Sequence, residues 1–209
     1  PKPILVMELV EGPTLERAVE TGAIDVAETF ELLDGIAAGL SAMHHAGVGH
    51  LDVKPSNVIL RDADVMLGTT GTPVLVDFGL AGRHIRPGCA TASYGAPEIW
   101  GLVPKGVTPE PMAADVYAFG CVAFEILTGR ELVHGPSEVS VITAHLSHDG
   151  GDLDGLQWLA ADPELTQLAK VLGAALRQDP RRRAPIAELR VELAACGKSL
   201  ASRSWPLGS

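Results

Sequence analysis

The chain has 209 residues, of which 46% are hydrophobic and 20% charged, so it can build a sizeable core and is not a disordered segment. Its 16 lysines and arginines are outnumbered by 26 aspartates and glutamates, which gives a formal net charge of −10. This balance argues against a nucleic-acid surface, which needs a basic face, and against contact with an anionic membrane. No apolar run predicts a membrane span, and the first residues do not resemble a signal peptide.

The cysteines indicate the compartment. Cys89, Cys121 and Cys196 are odd in number and far apart in the chain. This spacing predicts reduced thiols rather than a disulfide frame or a zinc site. We therefore expect a cytoplasmic protein, or the cytoplasmic domain of a larger one.

Apolar periodicity predicts a mainly helical chain with one small β element, an α+β fold. In chain order, the predicted elements are a strand at 3–10, a short helix at 14–20, a long helix at 26–46, β pieces at 58–60 and 74–76, a buried apolar helix at 113–127, and helices near 137–146, 163–177 and 185–196. Asp25 and Gly47 are predicted to start and end the long helix. The remainder of residues 130–163 is predicted to be irregular.

One ordered series of motifs lies in the first half of the chain. Residues 50–57 read His-Leu-Asp-Val-Lys-Pro-Ser-Asn, Asp77-Phe78-Gly79 follows, and the stretch 91–98 ends in Ala-Pro-Glu. A lone Asp-Phe-Gly would be a weak signal, but the whole series in this order is specific. The chain resembles the protein kinase family, and in particular its large C-terminal lobe, over about residues 3–196.

The resemblance implies a kinase-like C-lobe, mainly α-helical with a small β-hairpin. Its expected divisions are a hinge strand at 1–12, the lobe itself at 13–196, and a loose C-terminal tail at 197–209. Within the lobe, residues 50–57 would be the catalytic loop and 77–98 the activation segment.

The resemblance also implies a role for each polar residue of these motifs. Asp52 would accept the proton of the substrate hydroxyl, and Lys54, which is typical of serine/threonine kinases, would steady the γ-phosphate of ATP. Asn57 and Asp77 would bind Mg²⁺, which prefers hard oxygen ligands, and Gly79 would let the backbone turn sharply beside the metal. Taken singly, such residues are more often loop carboxylates or surface charges, so only their combination indicates phosphoryl transfer.

The opening strand resembles the hinge that joins the two lobes of a kinase. Met7 would occupy the gatekeeper position. The backbone carbonyl of Glu8 and the backbone amide of Val10 would bind the adenine edge of ATP, and Ile59 would supply an apolar floor under the ring. The alternative for this strand is a plain core strand.

Other residues of the series are expected to have structural roles. These are Glu98 paired with Arg183, His50 packed near Phe78, and Asp115 holding the backbone of the catalytic loop. A carboxylate in an apolar helix needs such hydrogen bonds because an unpaired buried charge is costly. Thr91 would face the catalytic loop, the alternative being an ordinary loop residue. The alternative for Arg183 is a solvated basic run at 181–183.

Two features depart from the family pattern. Residues 1–209 contain no Gly-rich loop, no strand lysine ahead of the hinge and no helix glutamate to pair with that lysine. The N-lobe is therefore expected to be absent from this segment, by truncation rather than as a solitary lobe, and the segment alone is expected to be inactive. The second departure is Leu51, which stands where most relatives have an arginine that pairs with an activation-loop phosphate.

The sequence thus predicts the large lobe of a serine/threonine protein kinase that uses ATP and Mg²⁺. Its expected partners are a protein substrate, the missing N-lobe of the same chain and a second copy through self-association, without nucleic acid or membrane contact. The alternative is a non-catalytic interaction module built on a kinase lobe. A weaker third interpretation, a small-molecule phosphotransferase of the same fold, is disfavoured by the Ala-Pro-Glu segment.

Overall fold

The apolar helix predicted near the middle of the chain lies at the centre of the fold. The computed structural model describes residues 6–22, 24–63 and 70–208. Its helices are α1 (Leu15–Thr21), α2 (Val26–His45), α3 (Pro111–Thr128), α4 (Glu138–Leu146), α5 (Asp154–Ala160), α6 (Thr166–Ala175) and α7 (Ile186–Leu200), and its strands are β1 (Val58–Arg61) and β2 (Thr72–Leu75). Short 3₁₀ turns lie at Pro55–Asn57, Pro97–Trp100 and Pro180–Arg182.

Helix α3 forms the core because it is apolar on almost every side. Of its 18 residues, 15 are buried, and it packs against α2 and α6. By length and composition alone α3 also meets the criterion for a membrane span, contrary to the expectation from the sequence. However, 83% of it is buried inside the fold, which is the situation of a core helix.

Helix α2 begins and ends where the sequence predicts. The Asp25 carboxylate accepts a hydrogen bond from the Glu28 amide at 2.8 Å, and the Glu28 side chain accepts one from the Asp25 amide at 3.0 Å. The helix ends at His45, and Gly47 follows in the left-handed conformation at φ 71°. Because α2 packs along α7 and against α3, it carries the catalytic loop that follows it on a rigid support.

The small β element is an antiparallel hairpin, as predicted. Val58 pairs with Leu75 and Arg61 pairs with Thr72, and β2 packs against α2. The register continues for one hydrogen bond beyond the strands, from the Val76 amide to the Asn57 carbonyl at 2.9 Å. The hairpin therefore brings the end of the catalytic loop beside the start of the Asp-Phe-Gly motif.

The prediction of a strand at 3–10 is wrong for the part that the structure describes. Residues 6–10 form no strand, and residues 3–5 lie outside the described ranges. A strand needs a partner for its backbone hydrogen bonds, and residues 6–10 have none among the described residues. The segment predicted as a hinge strand therefore has no regular secondary structure over residues 6–10.

Two further predictions are wrong in the C-terminal half. Residues 130–163 contain α5, whose Leu156 and Leu159 are buried, although the segment was expected to hold only one helix. The segment after residue 196 is not loose, because α7 continues to Leu200 and the chain then folds back on α3. The Trp205 indole donates to the Ile126 carbonyl at 2.8 Å, and Leu207 is buried.

Candidate active site

Three polar side chains surround the Asp52 carboxylate in the catalytic loop. Asp52 Oδ2 lies 2.8 Å from Lys54 Nζ and 2.9 Å from Asn57 Nδ2, while Asp52 Oδ1 accepts a hydrogen bond from Thr91 Oγ1 at 3.1 Å. Lys54 Nζ also donates to Thr91 Oγ1 at 3.0 Å. The expectation that Thr91 faces the catalytic loop is confirmed. The Thr91 hydroxyl is therefore held against both the carboxylate and the lysine.

Asp115 holds the backbone of this loop from inside α3, as predicted. Its carboxylate is fully buried and accepts the amides of His50 at 2.8 Å and Leu51 at 2.7 Å. The His44 ring, from the last turn of α2, also donates to it at 2.9 Å. Leu51 has a φ of 66°, a strained conformation for a residue with a branched side chain. The two charge-assisted bonds to the loop offset that strain and aim Asp52 outward.

The His50 ring connects the catalytic loop to the Asp-Phe-Gly motif. His50 is fully buried, its Nε2 donates to the Val76 carbonyl at 3.0 Å, and its Nδ1 accepts from the Asp52 amide at 3.4 Å. Its ring centroid lies 5.3 Å from that of Phe78, which confirms the predicted packing. Phe78 is nevertheless 43% exposed, so one side of this aromatic pair faces the open cleft.

Asn57 and Asp77 flank the open end of the hairpin, where the Val76 amide donates to the Asn57 carbonyl and Asp77 follows Val76. Asn57 donates through Nδ2 to Asp52, and its Oδ1 has no partner among the described residues. Asp77 is exposed and has a φ of 62°. The sequence had indicated a sharp turn at Gly79, but the left-handed conformation lies at Asp77 instead. Gly79 is needed for another reason: its amide donates to Asp77 Oδ1 at 3.2 Å, and a Cβ would lie 3.1 Å from that oxygen.

This pair of oxygen donors fits a magnesium ion. An amide oxygen free of protein partners and an exposed carboxylate are ligands that Mg²⁺ accepts while it keeps its waters. Asn57 cannot present its amide nitrogen instead, because Nδ2 is already committed to Asp52.

The predicted hinge residues are largely exposed, and Glu8 joins them to the hairpin. The carbonyl of Glu8 and the amide of Val10 have no hydrogen-bond partner among the described residues, so both are free for a ligand. The Glu8 side chain binds Arg61 at 2.9 Å, which joins the hinge to the end of β1. Ile59 is half-buried on β1, and Met7 is 57% exposed.

Below the activation segment, Glu98 and Arg183 form the predicted ion pair. The contact is bidentate, at 2.6 and 2.8 Å, and both side chains are fully buried. Arg183 also donates to the carbonyls of Ala113, Arg177 and Gln178. The pair thus fastens the Ala-Pro-Glu turn to α3 and to the segment before α7. Arg181 and Arg182 are exposed, as expected.

Several functional contacts were not predicted. His44 on Asp115 is one, and the Tyr94 hydroxyl, which donates to Glu125 Oε2 at 2.7 Å, is another. Burial raises the pKa of Glu125 to about 7, with a smaller opposing effect from the Tyr94 hydrogen bond. A third is a buried cluster around Tyr117. The only sequence signal for these contacts was a polar residue at an apolar helical position.

Comparison with known proteins agrees with this geometry. The family model described as protein kinase domain matches residues 2–192. The serine/threonine-protein kinase PkaA of Streptomyces coelicolor is 37% identical over 151 residues, covering 68% of this chain and 26% of PkaA. PknB of Mycobacterium tuberculosis is 33% identical, covering 78% of this chain and 28% of PknB. The kinase drp72 of Corynebacterium efficiens is 32% identical, covering 86% of this chain and 32% of drp72.

The chain therefore spans about a quarter to a third of the length of the curated relatives that it matches. The family match covers nearly all of its own residues, and the matched span includes the catalytic loop, the Asp-Phe-Gly motif and the Glu98–Arg183 pair. On this match and these relatives, the chain belongs to the protein kinase domain family, among the bacterial serine/threonine protein kinases.

Proposed function

We propose that this chain supplies the phosphoacceptor side of a serine/threonine kinase active site. The observation that carries the proposal is the Asp52 carboxylate, which is held by Lys54 and Asn57 with the Thr91 hydroxyl on its free oxygen. That hydroxyl lies where the hydroxyl of a protein substrate would bind. The named relatives, which are serine/threonine-protein kinases, support the same reaction.

In this proposal each side chain has one task. Asp52 receives the proton of the substrate hydroxyl as that oxygen attacks the γ-phosphate of ATP, and ADP leaves with the electron pair of the broken P–O bond. Lys54 moves from Thr91 to the transferred phosphate and offsets its charge. Asn57 and Asp77 hold Mg²⁺, which when bound neutralises charge on the phosphates. The free backbone groups of Glu8 and Val10 receive the adenine edge, above Ile59.

The chain's own residues cover only part of such a site. No Gly-rich loop or strand lysine to enclose the phosphates occurs in residues 1–209. We therefore propose that these residues alone bind ATP weakly and transfer no phosphate, and that an N-lobe completes the site. The free thiols of Cys89, Cys121 and Cys196 support a cytoplasmic location, for the protein or for its kinase domain.

The test is Asp52→Asn in the complete natural gene product that contains this chain. We expect transfer of radiolabelled phosphate to a serine/threonine peptide to fall by roughly 10²- to 10⁴-fold, because the proton acceptor is lost while the shape is kept. Asp154→Asn, an exposed carboxylate in α5, is the matched control and should leave the rate unchanged. Equal rates for the Asp52 variant and the wild type would contradict the assignment.

A non-catalytic interaction module is the second candidate, and one observation favours it. Val6, Met7, Leu9 and Phe78 are large apolar side chains that the described structure leaves exposed. Such side chains suit a protein partner, either an N-lobe or a second copy of the chain. A gene product that transfers no phosphate with or without Asp52, but that binds a second copy, would favour this alternative.

A further inference from the structure

A buried polar cluster lies beneath the activation segment, away from the catalytic loop. The Tyr117 hydroxyl, on α3, is 2.8 Å from His145 Nδ1 and 2.9 Å from His148 Nε2. Tyr117 and His145 are fully buried, and His148 is nearly so. His145 belongs to α4 and His148 to the loop after it, so one hydroxyl joins two elements to the core helix.

The hydrogen bonds of the cluster run in one direction only. The Gly150 amide donates to His148 Nδ1 at 3.2 Å, so a neutral His148 carries its proton on Nε2 and donates it to the Tyr117 oxygen. The Tyr117 hydroxyl must then donate to His145 Nδ1. His145 therefore carries its proton on Nε2, so this nitrogen is a donor. Its protonation is determined through the cluster by the Gly150 amide, five residues further along the chain.

The Nε2 donor of His145 has no acceptor in the part of the chain that the structure describes. Among the described residues, His145 Nε2 is the one buried side-chain nitrogen or oxygen without a hydrogen-bond partner. The backbone of Ser93, two residues after Thr91, opposes the lowering of the pKa of His145 by burial, so it lies near the ring, yet Nε2 has no hydrogen-bond partner within the described ranges. A buried donor left unpaired is destabilising, so a small movement of this backbone toward the ring is favoured.

The other side of the cluster contacts the ion pair of the same segment. The Arg183 guanidinium lies over the Tyr117 ring, 4.9 Å from its centroid, and binds Glu98. Helix α4 also packs against the Pro97–Trp100 turn. The two histidines therefore fix the ring on which Arg183 rests, while His145 faces the backbone that leads from Thr91 to this turn.

We propose that His145 is a positioning residue for the protein substrate, and that its Nε2–H forms a full hydrogen bond with the Ser93 backbone when the activation segment engages that substrate. The inference rests on the proposed function, since it names the element that orients the phosphoacceptor segment. His145 touches neither ATP nor the reacting atoms. Its effect is on the affinity for the peptide, through the path of residues 91–98.

The cluster accepts no further proton without losing a bond. Protonated His148 would oppose the Gly150 amide, and protonated His145 would oppose the Tyr117 hydroxyl. The charged groups that act on it are Asp149 and Asp152, which favour a protonated His148, and Arg183, which opposes one. Burial is the largest influence and lowers the pKa of both rings to about 4, so the one-way chain persists at neutral pH.

Two substitutions separate the bonds of His145. In His145→Asn, the amide can overlay Nδ1 and keep the Tyr117 bond, but no donor reaches Ser93. In His145→Gln, the amide nitrogen reaches the position of Nε2 and restores that donor. We expect the peptide KM of the complete gene product to rise at least fivefold in the Asn variant, with kcat and the KM for ATP changed less than twofold. The Gln variant should recover most of the affinity. His45→Asn, an exposed histidine on α2, is the control and should match the wild type.

A second readout does not depend on activity. With the substrate peptide bound, amide hydrogen exchange of residues 91–100 should be faster in His145→Asn than in His145→Gln at pH 7, because the segment loses the hydrogen bond that fixes the Ser93 backbone. An active wild type with an unchanged peptide KM and unchanged exchange in the Asn variant would overturn the inference. Equal losses in the Asn and Gln variants would also overturn it, since they would indicate general loss of packing. A wild type without phosphotransfer would instead count against the proposed function, and the exchange comparison would still decide the role of His145.

Discussion

Two bidentate arginine–carboxylate pairs in this chain have the same hydrogen-bond distances and opposite surroundings. Arg183 binds Glu98 at 2.6 and 2.8 Å, and Arg190 binds Asp34 at 2.6 and 2.8 Å. The side chains of the first pair are 1% and 0% exposed, and those of the second are 42% and 44% exposed. The chain therefore supplies its own control for the effect of burial on an ion pair.

Arg183→Met should be far more destabilising than Arg190→Met. The first change leaves Glu98 charged and buried, and it also removes the donor from three backbone carbonyls. An uncompensated buried charge of this kind costs about 3–5 kcal/mol of the free energy of unfolding. The second change breaks a solvent-screened pair, which is worth about 0–1 kcal/mol.

Urea unfolding of the purified chain, followed by tryptophan fluorescence, measures both values. Should Arg183→Met not fold, Glu98→Met/Arg183→Met provides the comparison: without a stranded charge, it should fold and be more stable than the single variant by about 2 kcal/mol or more. The reasoning is refuted if Arg183→Met lies within 1 kcal/mol of Arg190→Met, or if the double variant is no more stable than Arg183→Met.

The remaining predictions concern pH and phosphorylation. Because burial lowers the pKa of His145 and His148 to about 4, the unfolded chain takes up protons first, and the free energy of unfolding should fall as pH drops from 6.5 to 4. Each histidine ring contributes up to about 3 kcal/mol to this fall in the free energy of unfolding. Glu125, whose pKa is raised, has the opposite effect between pH 4.5 and 7 and offsets part of it. Urea midpoints at pH 7, 5.5 and 4.5 that do not decrease would contradict this prediction. Because Leu51 has no donor for an activation-segment phosphate, phosphatase treatment of the complete gene product, verified by mass spectrometry, should leave the initial rate within twofold. A tenfold loss that rephosphorylation restores would show that the segment does need its phosphate.

Much of the site was predictable because its chemistry limits the choice of residues. A phosphotransfer site needs a base, a cation and two oxygen ligands at close spacing, and the residues that we propose for these roles, Asp52, Lys54, Asn57 and Asp77, lie within 26 residues of sequence. The helices were predictable for a similar local reason, since the period of apolar residues and caps such as Asp25 act within a few residues of each other.

Other features depend on neighbours that are distant in the chain. The strand expected at the N-terminus needed a partner that the described residues do not provide, and the tail that looks polar in sequence is held by Trp205 against α3, 79 residues earlier. The left-handed backbone at Leu51 is held by a hydrogen bond from its amide to Asp115, 64 residues away, which only the folded chain supplies. Local composition carries no information about such pairings.

The clearest division between sequence and structure lies in the buried polar residues. The sequence indicated that Asp115 and Arg183 needed partners, because a charge in a core must be compensated. It did not indicate that Tyr117, His145 and His148 meet, because each of them alone passes for an ordinary core residue. Their one-way hydrogen bonds exist only because α3, α4 and the loop after α4 converge at one point, and tertiary packing alone decides that convergence.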